Sequence, residues 1–279
     1  MTHDDDAHIV YCYDPSQDKW TTLPPLPVKR FGLGQVNGKL VAVGGVKKDN
    51  KKTNDVHAYD ERSQKWKQTI PPMPTARDSP GVLSLHGQST LIVAGGNTPS
   101  QYAVTVEIFK PDTSQWYTTD PLPKACRDLS LVAIGNTCYA LGGYSFSALN
   151  QALYASVDDL LGNAVLANQT THSDSSGAQL AWKTLPGNAP TYGPAAAVLA
   201  GNLLAIGGSD NISDGGAIKK AIYMYSPSTI SWIYISDLPA PRSGTAVAVL
   251  PSSEVLVIGG NGDDGGRVNT VYKGTLSLL

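Results

Sequence analysis

The residues of this 279-residue chain that could do chemistry are few and scattered. Its five histidines are His3, His8, His57, His86 and His172. They fall at unrelated places along the chain, so no shared metal site is expected from them. The three cysteines, Cys12, Cys126 and Cys138, form no C-x-x-C pair. Their odd number fits reduced thiols, and the polar, acidic start MTHDDDAH lacks the basic and apolar stretches of a secretory leader. A cytoplasmic setting is therefore expected. Cys126 lies between Lys124 and Arg127, cations that can make a thiol reactive. The sequence reading nevertheless gives it the role of an ordinary loop cysteine, and places Cys138 in the core. SDNISDGG (209–216) and NGDDGG (261–266) are rich in oxygen ligands, but lack the alternating spacing and closing glutamate of a calcium loop. They read as Asp/Asn/Gly turns. No G-x-S-x-G, H-E-x-x-H or P-loop is present. The expectation is no catalytic residue, no metal and no cofactor.

What remains is recognition chemistry. Arg30, Arg77, Arg127 and Arg242 each precede an apolar run, and Tyr192 occupies the fifth such place. Guanidinium groups suit bidentate bonding to carboxylates or backbone. The competing reading is that each arginine ties its own repeat to a neighbouring carbonyl, and recurrence favours it. Arg30, in KRFGLGQV, is the first choice for ligand contact. More individual are the loops VKKDNKKTN, NTPSQYA, YSFSALNQ, SDNISDGGAIKK and NGDDGGRVN. The first is basic (Lys47, Lys48, Lys51, Lys52), and others carry Asp210, Asp214, Asp263 and Asp264. Tyr102, Tyr144 and Phe146 are candidate aromatic anchors. The partner-binding set is thus Arg30, Arg77, Arg127, Tyr192, Arg242, Tyr102, Tyr144 and Phe146.

These residues are set on a repeat. Apolar runs end in paired glycines at Gly44–Gly45, Gly95–Gly96, Gly142–Gly143, Gly207–Gly208 and Gly259–Gly260. Tryptophans keep the same beat: Trp20, Trp66, Trp116, Trp182 and Trp232. An aromatic stands seven residues before four of them, at Tyr13, Tyr59, Phe109 and Tyr225. Pro-rich links such as LPPLP follow and stop the ladder. Each unit reads as four strands, the first two joined by Asn37-Gly38, a tight-hairpin pair. Such a unit cannot bury both faces alone, but radial repetition buries them against neighbours. The net charge of −2 provides no field for nucleic acid, and no apolar run spans a membrane.

The order arginine, apolar strand, Gly-Gly, then tyrosine and tryptophan seven apart resembles the Kelch-repeat β-propeller family, over most of residues 8–279. The resemblance implies an all-β propeller of four-stranded antiparallel blades. Strand counting gives two, then four units of four, then three. That suggests a six-blade layout with an incomplete first blade, as in a ring that has lost its N-terminal part, with five blades as the alternative. The domain plan is a flexible tail 1–7 and a single propeller 8–279, with an insertion 155–181 in the fourth repeat. The insertion reads as a surface loop with one helical turn near Asp158 to Leu161. Kelch relatives of the ubiquitin-ligase adaptor type bind peptides on one loop face, which implies a protein- or peptide-binding module, part of a larger adaptor or a fragment of one. Sialic-acid mutarotases of similar fold give the alternative, a sugar- or metabolite-acting enzyme. Copper sites of the galactose-oxidase kind and the Glu-xxx-Asp-xxx-His iron motif find no counterpart here.

Overall fold

The computed structural model describes residues 8–85, 89–167, 181–210, 216–226 and 229–276. The tail 1–7, His3, His86, His172, Asp214 and the insertion from residue 168 to 180 lie outside the described residues. Contacts sort into two compact units, Met1–Arg127 with Leu161–Gln179, and Asp128–Leu160 with Leu180–Leu279.

In the first unit, β1 (Val10–Asp14) and β2 (Lys19–Leu23) form a two-stranded antiparallel sheet. β3 (Val28–Lys29) enters the first blade, which consists of β4 (Gly32–Val36), β5 (Lys39–Val43), β7 (Val56–Asp60) and β8 (Lys65–Lys67). β6 (Val46–Lys47), just past Gly45, pairs with β3. The second blade is β9 (Gly81–Leu85), β10 (Thr90–Ala94), β11 (Val106–Lys110) and β12 (Gln115–Thr119). In the second unit, β13 (Arg127–Ile134), β14 (Thr137–Tyr144) and β15 (Ala152–Ser156) begin the third blade. α1 (Val157–Gly162) follows, then β16 (Val165–Leu166), which belongs to the first unit, and β17 (Lys183–Thr184) completes the third blade. The fourth is β18 (Ala195–Leu199), β19 (Asn202–Ile206), β20 (Ala221–Ser226) and β21 (Ser231–Asp237). The fifth has three strands, β22 (Ala246–Val249), β23 (Glu254–Ile258) and β24 (Val271–Thr275). Among the described residues five blades are counted, the second of the two layouts the sequence offers, with β1–β2 as a sheet besides.

The repeat markers have mechanical roles. Asn37 (φ 50°) and Gly38 (φ 75°) make the left-handed turn that joins β4 to β5. β10 is buried along its whole length, as an unbroken apolar run requires, whereas β9 alternates. The seven-residue aromatic spacing is hairpin register: Tyr13 faces Trp20, Tyr59 faces Trp66, Phe109 faces Trp116 and Tyr225 faces Trp232. Their ring centroids lie 5.0, 5.2, 5.3 and 5.4 Å apart, within the range of favourable aromatic pairs. The indole N–H of Trp66 donates to Pro24 O (2.7 Å) and that of Trp116 to Pro71 O (2.8 Å), pinning the Pro-rich links. In the third blade the candidate aromatic Tyr154 faces Lys183 instead. The same register puts Ala155 opposite Trp182, so the tryptophan keeps its place and the aromatic partner is missing.

Both glycines of each pair have positive φ, 60–68° for the first and 92–109° for the second. A Cβ on Gly207 would lie 2.2 Å from Arg242 O, so the constraint is space as well as conformation. The second glycine's N–H holds the following blade's entering loop: Gly45 to Arg77 O, Gly96 to Cys126 O and Gly208 to Arg242 O, each 2.8 Å. Blades stack through apolar faces. Val41, Val43, Val56 and Ala58 meet Leu91, Val93, Phe109 and Trp116 in the first unit. In the second, Leu204, Ile206 and Ile222 meet Val255 and Val257.

The insertion contains the expected helical turn, α1, and one unexpected strand. β16 pairs with β12 and gives the second blade a fifth strand. Asn163 donates to Asp120 (2.7 Å), and Ala167 packs on the blade core.

Candidate functional site

The loops entering each blade fix the geometry of recognition, and they correct the arginine register. Backbone pairing across the repeats aligns Lys29 with Val46, Asp78 with Asn97, Tyr192 with Ser209 and Ser243 with Asn261. The residue before each of these is therefore equivalent, Val28, Arg77, Thr191 and Arg242, and Cys126 joins them because its carbonyl, like those of Arg77 and Arg242, accepts from the second glycine of a pair. All five are buried. The next position holds Lys29, Asp78, Arg127, Tyr192 and Ser243. The third is left-handed in every blade: Arg30 (φ 57°), Ser79 (51°), Asp128 (56°), Gly193 (59°) and Gly244 (57°). The four arginines thus occupy three different positions.

Two of them are structural. Arg77 is 0% exposed and donates to Gly95 O (2.7 Å), Thr105 O (3.1 Å) and Thr105 Oγ1 (2.8 Å), with Glu107 Oε1 at 2.6 Å. Burial pushes the Glu107 carboxyl up, and the guanidinium beside it pulls the other way. Arg242, also buried, donates to Thr270 Oγ1 (2.6 Å) and Tyr272 OH (2.7 Å), and its guanidinium lies 4.7 Å from the Tyr272 ring. Neither side chain can meet a partner from this position, so both leave the expected contact set. Arg127 is half-buried, with its guanidinium 5.9 Å from the Tyr102 ring, so two candidate residues engage one another. Arg30 is exposed. Cys126 lies in the loop that enters β13, as expected, but it is 0% exposed, in the position Arg77 and Arg242 hold elsewhere. The Cys138 thiol, also in the core, is pushed up to about 12 by burial.

Tyr144 and Tyr192 come together in the second unit. They line a cavity of about 600 Å³ whose wall also includes Asp128, Asn261, Asp263 and Asp264. None of the described lining residues is a lysine, arginine or histidine. The Tyr144 hydroxyl donates to Phe146 O (3.2 Å), holding the turn that presents Phe146, 87% exposed. Asp264 accepts from Gly266 N–H (2.8 Å), which fixes the NGDDGG turn. Lys219 pairs with Asp210 (2.8 Å) across its loop and holds that carboxyl below the usual range. Asp128 was missed by sequence reading. It aligns with Gly193 and Gly244, at a left-handed corner that an aspartate tolerates better than most residues.

In the first unit the basic loop is less free than a solvated hairpin tip. Lys47 pairs with Asp55 (2.9 Å), Lys51 with Asp49 (3.2 Å), and Lys52 with Thr98 O (2.5 Å). Lys48 is exposed. Among the described residues no group of three or more His, Cys, Asp or Glu side chains is arranged to hold a metal. No described helix is long and apolar enough to cross a membrane.

Comparison with known proteins agrees with this architecture. The Kelch motif model matches residues 27–74 and 190–239. Kelch-like protein 40 of Mus musculus is 31% identical over 144 residues, 51% of this chain and 23% of the relative, so this chain spans about a quarter of that relative's length. Kelch-like protein terF of Aspergillus terreus is 24% identical over 96% of this chain and 57% of its own. The solved structure of YjhT superposes over 96% of this chain and 89% of its own at a TM-score of 0.73, with 16% identity, a likeness of fold.

Proposed function

For this chain, a Kelch-repeat β-propeller, we propose that it is a non-enzymatic protein-binding module, the recognition part of a longer adaptor, and that the mouth of its second unit takes a basic peptide segment. One observation carries the reading. The cavity of about 600 Å³ combines two tyrosines with three aspartates and has no described basic side chain in its wall. Tyrosines supply large, stiff contact area, and carboxylates in a wall with no described basic side chain favour a lysine or arginine of the partner. Phe146 stands beside it as an exposed apolar anchor. Arg30 and the Arg127–Tyr102 pair form a separate recognition surface of the first unit. A cytoplasmic setting goes with the reading, since Cys12, Cys126 and Cys138 are not in disulfides.

The test uses labelled oligoarginine and oligoglutamine peptides on the full chain, read by fluorescence anisotropy at low and high salt. Oligoarginine is expected to bind in a salt-sensitive way, weakened by about tenfold or more in Asp263→Asn/Asp264→Asn and in Tyr192→Ala. Equal binding by these variants sinks the proposed mouth. Turnover of a carbohydrate panel by the wild-type chain replaces it with the enzymatic reading.

A further inference from the structure

Each repeat tryptophan stands at the outer strand of its sheet, and the residue after it reports what lies along that edge. These residues are Thr21, Lys67, Tyr117, Lys183 and Ile233. Among the described residues nothing pairs with the outer edges of β2, β8 and β17, and there the residue is polar, a guard against a stray strand. At β12 the edge is covered, and an aromatic is allowed: Tyr117 faces Leu166 of β16, and Thr118 faces Val165. β21 breaks the rule. Its outer edge has no strand beside it among the described residues, yet Ile233 is 36% exposed and Tyr234, the next residue, 54%.

The covered edge shows which backbone groups turn outward. Ala167 N–H donates to Trp116 O (3.2 Å), so the N–H and C=O of Trp116 and, two residues on, of Thr118 point to the edge. Trp232 faces Tyr225 as Trp116 faces Phe109, so those of Trp232 and Tyr234 point outward as well. A bulge at Ile235 then breaks the ladder, which confines regular pairing to the stretch before it. A two-fold axis through Ile233 brings these groups into register. Trp232 of one copy exchanges both backbone bonds with Tyr234 of the other, and Ile233 meets its own copy. Such an axis sets like residues against each other, so a charge on it repels itself. Lys67 and Lys183 forbid this in the first and third blades. Residues 229–236 carry no charge, and Asp237 beyond them is engaged by Lys220 (3.0 Å).

We propose that the outer edge of β21 is an interface between two copies of this chain, joined as antiparallel strands about an axis through Ile233. The pairing covers Ile233 and Tyr234 as β16 covers Tyr117 and Thr118. It is short, so it belongs with the small, reversible interfaces and not with obligate dimers. It uses none of the residues that line the acid-walled mouth, so the two readings fail separately.

Sedimentation equilibrium of the full chain, from about 1 µM to about 1 mM, should show monomer giving way to dimer towards the upper end. Ile233→Lys, the residue type found there in β8 and β17, should weaken the dimer by about tenfold or more and leave the melting temperature unchanged. The register is read separately. In a Cys12→Ser background, which removes the exposed native thiol, mild oxidation should join Ile233→Cys to its copy, because opposed residues of a non-bonded pair lie about 4.5 Å apart at Cα. Ile230→Cys, exposed but far from its own copy in this register, should link about tenfold more slowly or less. A chain that stays monomeric throughout overturns the proposal and leaves the edge to a strand of another protein. So does a dimer that Ile233→Lys does not weaken, or oxidation that links position 230 as readily as 233.

Discussion

Replacing Arg77 by leucine removes a side chain that is 0% exposed and holds five acceptor atoms, and it strands a carboxylate that is also 0% exposed. Breaking one side of a buried ion pair costs about 3–5 kcal/mol, most of it the penalty of the charge left behind. For a chain of this size each kcal/mol moves the melting temperature by roughly 2–4 °C, so a fall of about 10 °C is expected. The loss should shrink as pH is lowered, because burial already pushes the Glu107 carboxyl up and a proton neutralises it. Arg77→Leu/Glu107→Leu should recover about half or more of the loss, since the third blade carries an apolar pair, Cys126 and Leu153, at the same two positions. Urea unfolding followed by tryptophan fluorescence measures all three proteins. A single variant within about 1 kcal/mol of wild type, or a double variant no better than the single, refutes the structural role given to this arginine.

Other expectations are as direct. Burial holds the His57 imidazole below its ordinary value, so the unfolded chain takes up the proton first as pH falls below about 6.5. Stability then drops by up to about 1.4 kcal/mol per pH unit, a dependence His57→Gln should remove from urea midpoints. Gly207→Ala should cost about 3 kcal/mol, because its Cβ would lie 2.2 Å from Arg242 O, while Gly38→Ala, with φ 75° but open space, should cost about 1 kcal/mol. Similar melting temperatures for the two would show that space is irrelevant at the paired glycines. Arg30→Gly should raise stability by about 0.5–1 kcal/mol by relieving a left-handed arginine (φ 57°), and should weaken capture of any partner of the first unit; a lower melting temperature would count against this.

The repeat could be read in the sequence because its markers work through local geometry. Seven residues from aromatic to tryptophan is the length of a hairpin, so Tyr59 and Trp66 announce their own pairing. Paired glycines follow from crowding that no other residue tolerates. The arginines misled for a physical reason. LPPLPVKR, PPMPTAR, PLPKACR and DLPAPR bring arginine to the loop at different distances from the backbone pairing, and only that pairing distinguishes Arg30 from Arg77. The acid-walled cavity gathers Asp128 and Tyr144 from strand ends and Tyr192 and Asp264 from loops, a convergence that linear spacing does not encode. β16 has only two residues, too short for any periodicity to reveal.

That short strand also sets an order of assembly. Tyr117 pairs with Leu166, 49 positions later by subtraction, whereas every other strand of the second blade comes from residues 81–119. A ribosome making this chain releases β12 well before the strand that covers its edge. At roughly 5–20 residues per second the bare edge stays uncovered for some seconds, while β13, β14 and β15 are being made. Synthesis therefore runs ahead of closure at this one edge. Nascent chains held just short of residue 166 are where a chaperone or a stray strand should find its opening.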